Sequence, residues 1–451
     1  MEATALSVIA AACGGILVCG DGAQAVSSVS KDTRTLQAGD LYWALQGDNF
    51  DGHDFMAEAF EAGALAAVVS RDTPAVAKNF PLIRVDDTLI ALQRLAGWHR
   101  QRLKAKVICL TGSNGKTSTK DFTASVAATR FSVTKTQGNF NNHIGLPLTI
   151  LSACSSDEVA VWEIGMNQPG EIEPLARLAR PDIGVITNVG VAHIEFFDSC
   201  EAIAREKGML GHVLSPEALL ILPAYDPFTP SLVAQSKARL VLAGSPEAVR
   251  AEKVQPSLHG LDFQLVERET RAYVHLPVAG EHMVRNALLA VEVGRALGLS
   301  LDECASGLAA TKLSGQRLAS SEVRGVTMID DTYNANPDSM EAALHALHEL
   351  PGVQRRLAVL GHMGELGSYA DEGYRRVGRA AGATMDILIA VGPEAGLMVE
   401  EASGCSACDV RPVADAAEAV RLLLQLARPG DAVVVKGSRA ARMERVVEGF
   451  A

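Results

Sequence analysis

No lysine or arginine precedes Lys31, although the chain opens on the apolar stretch MEATALSVIAAACGGILV. An export signal needs a basic segment ahead of its apolar core, so this opening is expected to be an amphipathic helix running into a strand. No long uninterrupted apolar run occurs elsewhere, and a membrane-spanning helix needs about 20 such residues; no span is expected. The eight cysteines form no spaced framework. The pair Cys405/Cys408 has no second pair to complete a zinc site and no βαβ redox context, so cytoplasm is the expected compartment. Low-complexity tracts and short-period repeats are also missing. Positive charge is in deficit, with 41 Lys and Arg against 53 Asp and Glu for a net charge of −12. That balance argues against a nucleic-acid binder or an anionic-membrane binder. It leaves room for an anion held by a few local cations and backbone amides.

What is present is a long chain of 451 residues, too long for one core, so two to three domains are expected. Residues 1–86 mix helices with the strand-like runs 41–46, 65–69 and 81–85, and the turn-rich stretch GDNFDGHDF lies among them. A helix follows with Leu89, Leu92, Ala96 and Leu103 on one face. From 106 to 222 apolar strands (106–111, 159–164, 183–187, 218–222) alternate with helices, the signature of a parallel sheet covered on both faces. An antiparallel excursion is expected over 255–280, then a helix from His282 to Leu297. Strands at 326–329, 357–360, 387–391 and 432–435 again alternate with helices. The expected boundaries divide the chain into domains 1–86, 87–313 and 314–451.

The stretch VICLTGSNGKTST (107–119) runs from a strand through a glycine turn into a helix. It is a P-loop two residues short of the usual spacing between Gly and Gly-Lys. In such a turn the backbone amides of Gly112, Ser113, Asn114 and Gly115, with those of Lys116, Thr117 and Ser118 at the helix start, face a phosphate. Lys116 would neutralise the outer phosphates and Thr117 would supply a hydroxyl to Mg²⁺. Glu163 ends one buried strand, and His193 lies five residues beyond Asn188 at the end of another. Both ends belong to the sheet edge where ligands bind in parallel α/β folds. Each fits either a Mg²⁺ ligand or a plain capping or hydrogen-bonded side chain. Lys207, inside a helical stretch, reads by itself as a solvated lysine paired with Glu206 or Asp198. The polar stretches GNFNNHIG (138–145) and DDTYNANP (330–337) suit a polar ligand such as a ribose or phosphate, or else simple capped turns.

These pieces, in this order, resemble the Mur ligase family of ATP-dependent amide-bond ligases that build the peptide of bacterial cell-wall precursors. The short loop TGSNGKT (111–117) matches that family's form of the P-loop at every fixed position. GNFNNHIGLPLT (138–149), DDTYNANPDSM (330–340), GHMGELG (361–367) and KGSRAARME (436–444) narrow the resemblance to the branch that joins D-alanyl-D-alanine to UDP-MurNAc-tripeptide. The competing expectations are a tripeptide-forming ligase of the same superfamily, folylpolyglutamate synthetase, or a nucleotide-binding switch.

The resemblance implies three α/β domains: a small nucleotide-sugar domain, a central P-loop parallel-sheet ATPase domain and a C-terminal Rossmann-like domain that binds the dipeptide and closes over the centre. It implies that ATP is held by the P-loop, Asn286, Arg317 and Asp331, and that two Mg²⁺ ions are held by Thr117, Glu163, His193 and Lys207, the last as a CO₂-derived carbamate. Lys116, Lys207, His193 and Arg317 would be catalytic. Asp32, Arg34, Asn139, Asn142, Asn334 and Asn336 would contact substrate. Lys436, Ser438 and Arg439 would hold the dipeptide carboxylate. Two positions depart from the family pattern: Met283 replaces an Asn, and His362 stands where Asp is more usual. A monomer is expected.

Overall fold

In a computed structural model, which describes residues 1–451 apart from 48, 74–79 and 258, the apolar runs become strands of three principal sheets. The first has the order Ile16–Cys19, Leu82–Arg84, Ala66–Val69, Leu41–Trp43, Val29–Ser30. Only its first pairing is antiparallel. The helix expected at the start is Leu6–Cys13. In the turn-rich stretch, apart from residue 48, Asp51 caps a short 3-10 turn, Gly52–Phe55, by accepting from the His53 amide. The following helix is Thr88–Arg100, started by Asp87, which accepts from the Ile90 amide at 2.8 Å. It ends before Leu103; its buried face is carried instead by Ala91, Leu92, Leu95 and Ala96.

The central sheet runs Arg239–Ala243, Leu219–Pro223, Ile183–Ile186, Lys106–Thr111, Val159–Glu163, Val133–Lys135. Its outer pairings are parallel. The four expected strands are there. Val133–Lys135 was not anticipated because three residues carry no readable period, and Arg239–Ala243 because it is an edge strand with a partly exposed face. The excursion is a three-stranded antiparallel sheet, Arg250–Ser257, Gly260–Glu267, Thr270–Leu276, one strand more than expected. The third principal sheet has the order Ala319–Val323, Val326–Asp331, Ala432–Lys436, Arg356–Leu360, Ile387–Val391, Asp409–Val413. It is parallel except for the first hairpin. Its core is aliphatic, with Met328, Leu357, Val359, Ile389, Val433 and Val435 fully buried. No helix among the described residues is long and apolar enough to cross a membrane.

By compactness, residues 1–109, 131–165 and 171–182 form one unit, and residues 110–130, 166–170 and 183–451 form a second. Each is described by itself. In the second unit the helix Lys116–Ala127, which follows the P-loop, is buried on nearly every side, against helices Glu281–Ala296 and Leu301–Ala309. Even its charged residues are sealed. Lys120 and Asp121 are both fully buried, with Nζ 3.5 Å from Oδ1. Asp121 also accepts from the Ser314 amide at 2.7 Å and from its hydroxyl at 3.1 Å. One carboxylate therefore fastens the helix to the segment that leads into the third sheet. Asp121→Ala would leave the Lys120 ammonium buried beside a lost counter-charge, and breaking such a pair costs about 3 kcal/mol. The expected result is a clear fall in the denaturation midpoint; an unchanged midpoint would contradict this account.

Candidate active site

The two missing P-loop residues are compensated from outside the loop. Asn188, just past strand Ile183–Ile186, grips it as a second backbone strand would. Its side-chain oxygen accepts from the Asn114 amide at 2.9 Å, its carbonyl accepts from the Ser113 amide at 3.0 Å, and its Nδ2 donates to the Asn114 carbonyl at 3.1 Å. The Thr187 hydroxyl donates to the same carbonyl at 2.5 Å. Ser113 Oγ donates to the Gly190 carbonyl and accepts from its amide, at 3.0 and 2.8 Å. Both loop glycines are obligatory for space as well as for backbone angle. A Cβ on Gly112 (φ +149°) would lie 1.9 Å from Thr187 Oγ1, and one on Gly115 (φ +77°) would lie 2.6 Å from Asn286 Oδ1. The helix starts at Lys116 with no side-chain cap, so a phosphate would meet its first-turn amides and the positive end of its dipole. Thr117 and Ser118 are buried in that turn.

Lys116 folds back onto its own loop, donating to the Gly112 carbonyl at 2.7 Å. Lys207 corrects the surface reading outright, being only 1% exposed within helix Cys200–Val213. Burial, and then the positive charge of Lys116, push its ammonium well below the ordinary lysine range. Both causes favour the neutral amine over the ammonium at this position. His193, at φ +64°, places Nδ1 2.5 Å from Oε2 of Glu365.

In the same unit Asn286 is buried with its amide against Gly115, and its Nδ2 lies 3.7 Å from the sulfur of Met283, the residue that replaces the family's Asn. The Arg317 guanidinium lies over the Tyr333 ring at 4.1 Å, and its Nε is buried without a hydrogen-bond partner. Asp331 accepts from the Leu318 amide at 3.3 Å and from Lys436 Nζ at 2.5 Å. Lys436 also donates to the Asn334 carbonyl at 2.8 Å and is only 3% exposed. Asn334 itself is exposed. Asn336 does structural work: its oxygen caps helix Pro337–His348, and its Nδ2 donates to Asn114 Oδ1 of the P-loop at 2.8 Å. Ser438 is buried with Oγ lacking a partner, and Arg439 is exposed. His362 Nδ1 lies 2.9 Å from the Tyr374 hydroxyl, within hydrogen-bond distance.

In the first unit Glu163 ends its strand 3% exposed, with its carboxylate held by Asn141 Nδ2 at 2.9 Å and its amide by the Thr136 hydroxyl. Asn139 is exposed, and Asn142 accepts from the Gly145 amide at 2.8 Å, where helix Gly145–Ser152 begins. Arg34 binds Asp32 through two nitrogens, at 2.9 and 2.6 Å, and that guanidinium holds the Asp32 carboxyl down to about 2.

Sequence reasoning passed over Asn141, Thr187, Asn188 and Glu365. Asn188 and Thr187 carried a usable signal: they end an apolar strand next to the P-loop strand. Glu365 carried none, because its partner lies far away in the chain.

Three consecutive segments match family models: residues 25–101 the Mur ligase family, catalytic domain, residues 110–294 the Mur ligase middle domain, and residues 316–439 the Mur ligase, glutamate ligase domain. The chain is 36% identical over 426 residues to the UDP-N-acetylmuramoyl-tripeptide–D-alanyl-D-alanine ligase of Bacillus subtilis, covering 94% of this chain and 93% of that one. It is 36% identical over 433 residues to the Escherichia coli protein of the same name, covering 94% of each. Among solved structures it is similar to MurF from Acinetobacter baumannii (TM-score 0.91, 31% identity, 100% of this chain and 99% of that one). It is similar also to MurF ligase from Thermotoga maritima in complex with ADP (TM-score 0.83, 29% identity, 94% and 97%). With a clamped short P-loop, three α/β domains and this match along nearly its whole length, the chain belongs to the Mur ligase family and is an ATP-dependent, ADP-forming amide ligase.

Proposed function

We propose that this ligase joins D-alanyl-D-alanine to UDP-MurNAc-tripeptide, giving UDP-MurNAc-pentapeptide. Its relatives of that name support the substrate pair. The observation that carries the reading is Lys207, a buried amine whose ammonium form is disfavoured beside Lys116. A nucleotide switch has no use for such a group. A carbamate site does: the neutral Nζ attacks CO₂ through its lone pair, an N–H proton leaves to solvent, and an uncharged amine becomes an anion attracted to Lys116.

The residues fit divalent cations on the chemistry of their donors. Among the described residues no three His, Cys, Asp or Glu side chains gather into a ready-made cage, so a cation would need a mixed donor set that includes other oxygen ligands. A hydroxyl (Thr117), a carboxylate (Glu163), an imidazole (His193) and a carbamylated Lys207 are that set, as the family resemblance implies. Two Mg²⁺ ions held there would supply charge neutralisation at the phosphates.

The chain's own groups do the rest. The tripeptide's terminal carboxylate oxygen attacks the γ-phosphorus of ATP, and ADP departs, leaving an acyl phosphate. The dipeptide amine then attacks the acyl carbon, loses a proton and expels inorganic phosphate. Phosphoryl transfer needs mainly positioning and charge stabilisation. The first-turn amides and Lys116 cradle the phosphates. Arg317, packed on Tyr333, is set to meet the γ-phosphate. Ser438, Arg439 and Lys436, which also bonds Asp331, would hold the dipeptide carboxylate. We place the domain limits at 1–86, 87–313 and 314–451, and a cytoplasmic monomer agrees with this chemistry.

Phosphate release from ATP is expected only when both UDP-MurNAc-tripeptide and D-alanyl-D-alanine are present. Release with either one alone, or with a free amino acid in place of the dipeptide, sinks the substrate assignment. Lys207→Ala is expected to lower kcat by at least about 100-fold and to regain activity when a short carboxylic acid is added. Full activity of that variant without rescue removes the carbamate from the mechanism.

A further inference from the structure

The carboxylate of Glu365 reaches His193 from the segment between strand Arg356–Leu360 and helix Ala370–Thr384, 172 residues away in sequence. The contact is supported on both sides. The Glu195 amide donates to the Glu365 carbonyl at 3.2 Å. Gly367 packs so closely that a Cβ there would lie 3.1 Å from Glu195 Cα. Both members of the pair are non-glycine residues in left-handed backbone, His193 at φ +64° and Glu365 at φ +59°. Each such conformation costs on the order of 1 kcal/mol, and such strain persists only where the surroundings over-determine it. Here two strained residues meet at one hydrogen bond.

We propose that Glu365 is the positioning residue for His193. Its carboxylate accepts the hydrogen bond of Nδ1–H, which fixes the ring plane and leaves Nε2 as the nitrogen with a lone pair for a cation. A carboxylate on the far nitrogen orients a ligating imidazole and raises its basicity; losing such a partner weakens metal affinity about 10- to 100-fold. The proposal rests on the reading of His193 as a cation ligand. Glu365 belongs to the segment matched by the glutamate ligase domain model, and it meets His193 through its own contacts with residues 193–196. The same segment has a separate anchor: Asp338 accepts from the Val191 amide at 3.0 Å and is held by Arg376 at 3.1 Å. That anchor does not touch His193.

The two effects separate in a direct binding measurement. Mn²⁺ is titrated calorimetrically into the full-length protein with ADP and bicarbonate, without turnover. Four variants are compared with the parent: Glu365→Ala, Glu365→Gln, Asp338→Asn and His193→Ala. Glu365→Ala is expected to weaken Mn²⁺ binding at least about 10-fold. Glu365→Gln, which keeps an oxygen for Nδ1–H without the charge, should fall between it and the parent, and Asp338→Asn should leave the affinity within about twofold. Unchanged affinity in both Glu365 variants, with His193→Ala weakened, overturns the proposal while the cation reading survives. An equal loss in Asp338→Asn overturns it in favour of simple docking. Unchanged affinity in His193→Ala removes the cation reading itself.

Discussion

The hydrogen bonding of Asn188 to the short P-loop is the interaction on which the rest of the second unit depends. A side-chain amide pairs with Asn114 through both donor and acceptor, as a strand would. This clamp brings the loop so near to Thr187 and Asn286 that neither glycine tolerates a β-carbon. It also sets where Lys116 sits, and so which lysine feels its charge. The depressed ammonium of Lys207 follows from that placement together with burial.

The same clamp reaches the third sheet. Asn114, held on one side by Asn188, is held on the other by Asn336, which at once caps the helix Pro337–His348. The neighbouring Asp338 meets the Val191 amide, Glu365 meets His193, and Ser314 meets Asp121. These contacts tie loops around the third sheet to the P-loop and its neighbouring segments through single polar side chains.

Much of this was legible in the sequence because it lies in short-range pattern. The parallel sheets follow from buried apolar runs alternating with helices, and the phosphate loop from glycine spacing between a strand and a helix. What was not legible depended on distant partners. Lys207 looked like a surface lysine because a helix with Glu206 beside it gives no sign that the whole turn is buried. Asn336 lies in a polar turn, which reads the same whether its amides face a substrate or another loop. In the structure Asn336 bonds Asn114, and Lys436 bonds Asp331. Glu365 was invisible, since nothing local to GHMGELG points to a histidine in another domain.

The central claim is that Lys207 is kept as an amine so that it can become an anion. Carbon-13 NMR of the protein equilibrated with ¹³C-bicarbonate tests it most directly, with Lys207→Arg as the control. The account predicts one carbamate resonance per chain in the active enzyme and its loss in the variant. An active enzyme without that resonance, or a variant that retains it, would contradict the account.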